Sequence, residues 1–213
     1  MKELKNRGLT SQKQQDPQTQ KQQSLEDQTQ KSMKAAKKYF IKGDYLNSIK
    51  EYNFVIEHDP KNITAMYDKG LVQYYIKELN DALKSFNDVL KLDKTHANAH
   101  FYKGRVLAEL NRVLEAISSF ENAVFYDPEF AYAYYNLADL LLKTYKDDSE
   151  KTKKAEESFY LAYKIWEKNI SDNPYCFVQD DEMGEAYKRT RKLLSRLGKI
   201  DSSDYKSYMK EFD

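Results

Sequence analysis

Small residues recur in this chain at one fixed interval: Ala36, Gly70, Gly104 and Ala138 stand 34 residues apart. Twelve residues after the first three come Ser48, Ala82 and Ala116, again small. Four further on stand the aromatics Tyr52, Phe86 and Phe120, and three beyond those come Val55, Val89 and Ala123. Pro60 and Pro128, each behind an Asp, fall at equivalent points. Five columns in phase across three copies mark an internal repeat, so the chain is built from stacked copies of one supersecondary unit.

The columns imply what that unit is. Tyr45, Ile49, Tyr52, Val55 and Ile56 form an apolar stripe at helical spacing. Small residues at Gly70 and Ala82 let two antiparallel helices approach closely, and the aromatic at Phe86 fills the space between that pair and the next. Pro60 and Pro128 cannot donate a backbone hydrogen bond, so they help to stop the second helix. Gly43-Asp44-Tyr45 supplies the turn within a pair. Composition agrees: the chain has only 6 Gly and 4 Pro, where average usage gives about 15 and about 11. Too few turn formers remain for the many tight turns of a β-sandwich or barrel.

In period and columns the chain resembles the tetratricopeptide repeat family, whose unit is a 34-residue helix–turn–helix. The resemblance implies an all-α, right-handed superhelical solenoid of about four helix pairs. Repeats are placed at 29–62, 63–96, 97–130 and 131–174. In the fourth, Ala138, Ala155, Phe159 and Ala162 fill the same columns. Ala138 to Ala155 spans 17 residues against 12 elsewhere, an insertion of five assigned to a charged loop at 145–151. Departures from the family pattern are Ser32 where Trp is frequent, Lys69 and Lys103 where Leu is common, Gln73 for a large apolar residue, and Lys94 for the terminal Pro. Residues 175–213 are expected to cover the open end of the stack. They include a helix from Asp181 to Leu197 with Met183, Ala186, Tyr187, Leu194 and Leu197 inward, and a short helix over 203–212. Gly198 is the expected cap, Pro174 closes the helix before it, and Trp166 and Tyr187 are expected as capping contacts.

Residues 1–28, rich in Gln and Lys, carry too few apolar side chains to offset their ordering entropy and are expected to form a disordered tail. Ser24-Leu25-Glu26-Asp27 has the spacing of a helix N-terminal box, so order is expected to begin near Ser24.

The family resemblance implies a concave groove, lined by the first helix of each pair, that binds a peptide or a partner helix. Counting along those helices places Met33, Lys37 and Phe40, then Tyr67, Leu71 and Tyr74, then Phe101 and Arg105, then Tyr132, Tyr135 and Asp139 on that surface. The partner-binding set is Lys37, Tyr67, Leu71, Tyr74, Phe101, Arg105, Tyr132, Tyr135 and Asp139. Tyrosine suits recognition because it combines large contact area with a hydrogen-bonding tip. Tyr67, Phe101 and Tyr135 also fit the alternative of rings that merely pack between helices. Some family members clamp the C-terminal carboxylate of a chaperone with Lys, Asn and Arg side chains. Here those positions hold Met33, Lys37, Asp68, Asn98 and Tyr102, or Tyr67, Leu71, Tyr102, Tyr132 and Asn136 one repeat on. Neither set can pair with a carboxylate in that way, so a chaperone-tail adaptor is not expected.

The remaining chemistry points away from enzymes. His96 and His100 lack further ligands nearby, Cys176 lacks the context of a nucleophile, and there is no glycine-rich phosphate loop. Neither metal nor cofactor is expected. Asp147/Asp148 and Asp180/Asp181 read as solvated loop charges. Lys+Arg of 35 against Asp+Glu of 34 gives a net charge of +1, which does not suggest nucleic acid. The basic run Lys188, Arg189, Arg191, Lys192, Arg196 and Lys199 is flanked by acids and reads as an internally paired helix. A single cysteine suits a reducing, cytoplasmic setting. The N-terminus has no apolar stretch behind its lysines, so no secretory signal is expected, and no run is long enough to span a membrane. The function expected is a non-enzymatic interaction adaptor. The alternative is a structural subunit or self-associating scaffold, and third comes an RNA- or membrane-surface factor using the basic helix.

Overall fold

The structure, a computed structural model, describes residues 17–172 and 181–200. These residues fold into helices, with no strand among them. They divide into two compact units, Met1–Ala65 and Met66–Asp213. The first holds α1 (Pro17–Ile41) and α2 (Tyr45–His58). The second holds α4 (Leu79–Leu92), α5 (Ala97–Glu109), α6 (Val113–Tyr126), α7 (Ala131–Thr144), α8 (Ser149–Asp172) and α9 (Asp181–Arg196), with most of α3 (Ile63–Tyr75). Cys176, Pro174, Asp180 and the expected helix over 203–212 lie outside the described residues.

The repeated columns are the core. In the second unit Phe86 and Phe120 are buried together with Ala82, Ala116, Val89 and Ala123. A Cβ on Gly70 would come within 2.8 Å of the Phe86 ring, and one on Gly104 within 2.7 Å of Phe120. The aromatic of the second helix therefore lies directly against the backbone of the first, and only glycine fits there. In the first unit Ala36, Ser48, Tyr52 and Val55 fill the same columns, and the Ser48 hydroxyl donates to the Ala36 carbonyl at 2.9 Å. Gln73, an apparent misfit, is buried and accepts a hydrogen bond from buried Ser85 at 2.7 Å, so its polarity is answered within the helix pair.

Two further columns set the connections. Gly43, Lys77 and Asn111, again 34 apart, all adopt positive φ, at 75°, 64° and 58°. Each ends a first helix with the same pair of bonds. Asp44, Glu78 and Arg112 donate their N–H five residues back to Tyr39, Gln73 and Leu107, while Gly43, Lys77 and Asn111 donate to Phe40, Tyr74 and Ala108. Asp59, Asp93 and Asp127 stop the second helices. Their carboxylates accept N–H bonds from Lys61, Thr95 and Glu129 at 3.3, 2.9 and 3.1 Å. This Asp column explains why α4 ends on time although Lys94 stands where proline was expected.

Three readings of the sequence need correction. α1 begins at Pro17, not near Ser24, so the Ser24–Asp27 box lies inside a helix. Gln and Lys are good helix formers, and a docked segment can carry helix outward through residues that bury little. The five inserted residues are not mainly loop. α8 starts six residues before Ala155, where α6 starts three before Ala116, so the charged stretch from Ser149 becomes helix, capped by Asp148 accepting from Glu150 and Lys151. In α9, Ala186, Tyr187 and Leu194 are buried as expected, but Leu197 is 41% exposed, because the helix ends one residue earlier. Gly198, at φ 65°, caps it through the Lys199 N–H to the Leu194 carbonyl at 2.9 Å.

The turn column yields a stability test in which glycine changes sign. Gly43→Ala should cost about 1 kcal/mol, since nothing lies within 4 Å and only the backbone conformation resists. Gly184→Ala, in helical α9 with equal space around it, should gain about 0.5–1 kcal/mol. Urea midpoints at constant m-value report both, and equal shifts would contradict the assignment.

Candidate partner-binding surface

Within the second unit the first helices of successive pairs present the surface named above. Its floor is a ring cluster centred on Tyr102 of α5. Tyr67 and Tyr74 of α3 lie 6.1 and 6.0 Å from it, Phe86 of α4 stacks at 5.8 Å, and Phe101 stands edge-on at 5.1 Å. Tyr67 also meets Phe86 at 5.9 Å and the His96 ring at 5.0 Å. His96 is held by its own task, since its Nδ1 accepts the Ala99 N–H at 3.1 Å and caps α5. A second cluster surrounds Trp166 of α8, with Tyr132 and Tyr135 of α7 each at 5.9 Å and Phe159 at 5.8 Å from Tyr135.

The sequence-derived site residues therefore fall into three groups. Tyr67, Leu71, Arg105, Tyr132, Tyr135 and Asp139 are half-buried. Tyr74 and Phe101 were expected at the surface and are buried, at 8% and 4% exposure. Phe101 lies 4.8 Å from Phe130 and 5.9 Å from Phe120, so it belongs to the core between α5, α6 and the start of α7. Lys37 is exposed on α1, in the first unit. A helical count along one helix cannot see this difference, because neighbouring helices decide which rings they cover.

Charges on the surface are tied to one another. The Tyr74 hydroxyl donates to Glu109 at 2.6 Å, and Lys77 donates to the same carboxylate at 2.7 and 3.0 Å. Burial, then the bond to Glu109, pushes the Tyr74 hydroxyl far up from the usual phenol range. At Glu109 burial alone would raise the carboxyl, but the hydrogen bonds from Lys77 and Tyr74 outweigh it and hold it below the ordinary value. The Arg105 guanidinium lies 5.3 Å from the Tyr74 ring centroid and 5.8 Å from Phe101, and 3.6 Å from Glu182 of α9. Asp139 accepts from Lys143 at 2.6 Å. Tyr102, Lys77, Glu109 and Glu182 were not read as site residues. Tyr102 had a signal, a second aromatic beside Phe101, whereas the others join helices that sequence spacing does not relate.

The tetratricopeptide repeat profile matches residues 67–120 and 103–170, the stretch whose columns and ring floor are described above. The chain is a tetratricopeptide repeat protein. No curated protein matches it by sequence. Among solved structures it is similar to the MamA protein, at 24% identity and a TM-score of 0.60, covering 82% of this chain and 96% of MamA. MamA from Desulfovibrio magneticus RS-1 is 21% identical with a TM-score of 0.59, covering 83% and 98%. The second tetratricopeptide domain of human RPAP3, solved in complex with the HSP70 peptide SGPTIEEVD, is 21% identical with a TM-score of 0.52, covering 55% and 97%. At these identities the likeness establishes the fold, an all-α tetratricopeptide solenoid. Among the described residues of this tetratricopeptide repeat protein no helix is long and apolar enough to cross a membrane, and no His, Cys, Asp and Glu cluster could hold a metal ion.

The Glu109 tie has a pH signature. Its folded carboxyl sits below the ordinary range, so its stabilising contribution is present at neutral pH and is lost as pH falls from about 4 through the folded value. Glu109→Gln should be less stable than wild type at pH 7, and the gap should narrow as pH falls through the acidic range in urea unfolding. Parallel pH curves would contradict the tie.

Proposed function

We propose that this protein is a non-enzymatic adaptor that holds a partner segment against the first-helix face of its repeats. One observation carries the reading: a line of half-exposed aromatic rings, Tyr67, Tyr132 and Tyr135, set on a buried aromatic floor. Rings braced from beneath lose little freedom on binding, which is what gives aromatic anchors their weight in interfaces. Leu71, Arg105 and Asp139 supply the contacts between them, and Tyr74 and Phe101 act from below as supports. Repeats at 63–96, 97–130 and 131–174 frame this surface; Lys37, on α1 in the repeat at 29–62, is kept as a separate contact of the first unit, and a cytoplasmic setting fits the single cysteine.

The RPAP3 domain was solved with a chaperone-derived peptide. The positions that clamp a chaperone tail are Met33, Lys37, Asp68, Asn98 and Tyr102 in this chain, too few cations to hold a terminal carboxylate. The partner is accordingly an internal peptide or a helix. A second reading, a self-associating scaffold, draws on Leu114 and Phe125 of α6, which are 72% and 74% exposed. Light scattering of the full chain separates the two, since a scaffold gives a mass that rises with concentration.

Leu71→Ala and Tyr132→Ala together should reduce the affinity for captured partners at least tenfold, about 1.4 kcal/mol, with helical content unchanged. Affinity capture from native extract, wild type against the double variant, checks this, and an identical captured set would contradict it.

A further inference from the structure

Helix α9 does more than cover the end of α8. Its middle packs on that helix: buried Tyr187 stacks on Tyr163 at 5.8 Å, stands edge-on to Trp166 at 6.3 Å, and donates its hydroxyl to Glu167. Arg191, also buried, donates to the Tyr187 hydroxyl at 3.2 Å, and Thr190 and Leu194 have no exposed surface. Its C-terminal end comes back to α8 through Lys199 and Glu156, 3.5 Å apart. Its N-terminal end passes α7, which it also touches, and reaches α5, where Glu182 lies 3.6 Å from Arg105.

Arg105 is a surface residue whose charge is braced for use. Two rings, Tyr74 and Phe101, flank its guanidinium; of the carboxylates that act on it, Glu109 of the same helix is tied to Lys77 and Tyr74, and Glu182 comes from outside the repeats. Glu182 is 69% exposed and the separation exceeds a hydrogen bond, so this end of α9 is held loosely. Among the described residues the remaining hold is largely polar: Tyr187, Leu194 and one alanine are its buried apolar side chains, beside Thr190, the cluster of Glu167, Tyr187 and Arg191, and the Lys199–Glu156 pair. A mixture of one aromatic anchor with buried polar groups is the make-up of an exchangeable interface.

We infer that the surface running from Arg105 across α7 to Trp166 is a docking site for an amphipathic helix. That helix carries a carboxylate in its first turn and a tyrosine-like residue five positions later, and α9 is the occupant supplied by the chain itself. This rests on the first-helix face being the binding face, and adds the chemistry of the partner and the identity of its competitor. A partner helix must displace one tethered at millimolar effective concentration, so binding and α9 release are linked.

The probe is a fluorescein-labelled peptide of residues 181–199, titrated into the full chain and into its Glu182→Lys/Tyr187→Ala variant. Anisotropy reports binding, and emission from the single tryptophan, Trp166, reports cover on the α8 face. The variant should bind the peptide at least tenfold more tightly than wild type, with its Trp166 emission returning to the wild-type position on binding. Adding Arg105→Glu should weaken the peptide at least threefold. Equal affinity for wild type and variant, or no binding to a variant with wild-type helical content, overturns the inference. If that variant unfolds, hydrogen exchange in wild type decides: α9 amides should exchange at least tenfold faster than those of α8 from Ala155 to Trp166, and equal protection overturns it. Peptide failure with altered partner capture by the Leu71/Tyr132 variant leaves the binding face standing and removes only the in-chain occupant.

Discussion

The contact between an aromatic ring on the second helix and the bare backbone of the first is what the rest of the structure depends on. Phe86 against Gly70 and Phe120 against Gly104 leave no room for a Cβ. Such approach lets one ring serve two interfaces at once. Phe86 touches its own pair and also stacks on Tyr102 of the next first helix, at 5.8 Å. Within the second unit a core assembled from such bridges grows one pair at a time, with each helix from α4 to α9 packed on its neighbours in sequence. The same bridges set the floor of the binding face, because Tyr67, Tyr74 and Phe101 all rest on that ring system.

Connections follow from the same economy of glycine. The turns that follow α1, α3 and α5 each need a left-handed residue, and of these three only Gly43 is glycine. Lys77 and Asn111 accept positive φ at a conformational cost of about 1 kcal/mol or more for lysine, held in place by the paired carbonyl bonds on either side. The Lys77 ammonium then reaches Glu109 and joins the electrostatic tie with Tyr74. Backbone strain and side-chain charge at this turn thus act on one junction between α3 and α5.

The fold was legible in the sequence because its determinants are periodic. Gly104, Ala116, Phe120 and Ala123 declare their column by recurrence, and each is buried as that column requires. Less was legible where structure depends on partners at no fixed spacing. Lys77 gave no sign of a left-handed turn, since lysine carries no such preference. The Asp93 terminator was hidden behind the more conspicuous prolines of the other repeats. Residues 17–28 read as tail because they bury little, yet helix propensity needs no burial once a packed segment anchors it. The surface was legible in part: Tyr67, Tyr132 and Tyr135 stay half-exposed, whereas Tyr74 and Phe101 are covered by Arg105, Phe120 and Phe130, contacts between helices that a count along one helix cannot include.

The central claim, that the ring-on-backbone contact specifies the array, is tested most directly by a double-mutant cycle at Gly104 and Phe120. Gly104→Ala places a Cβ 2.7 Å from the ring, and Phe120→Leu removes that ring. If the contact is direct, the double variant should be more stable than the sum of the single losses predicts by at least about 1 kcal/mol, since the leucine makes room for the methyl. Losses that add to within about 0.3 kcal/mol would contradict the account.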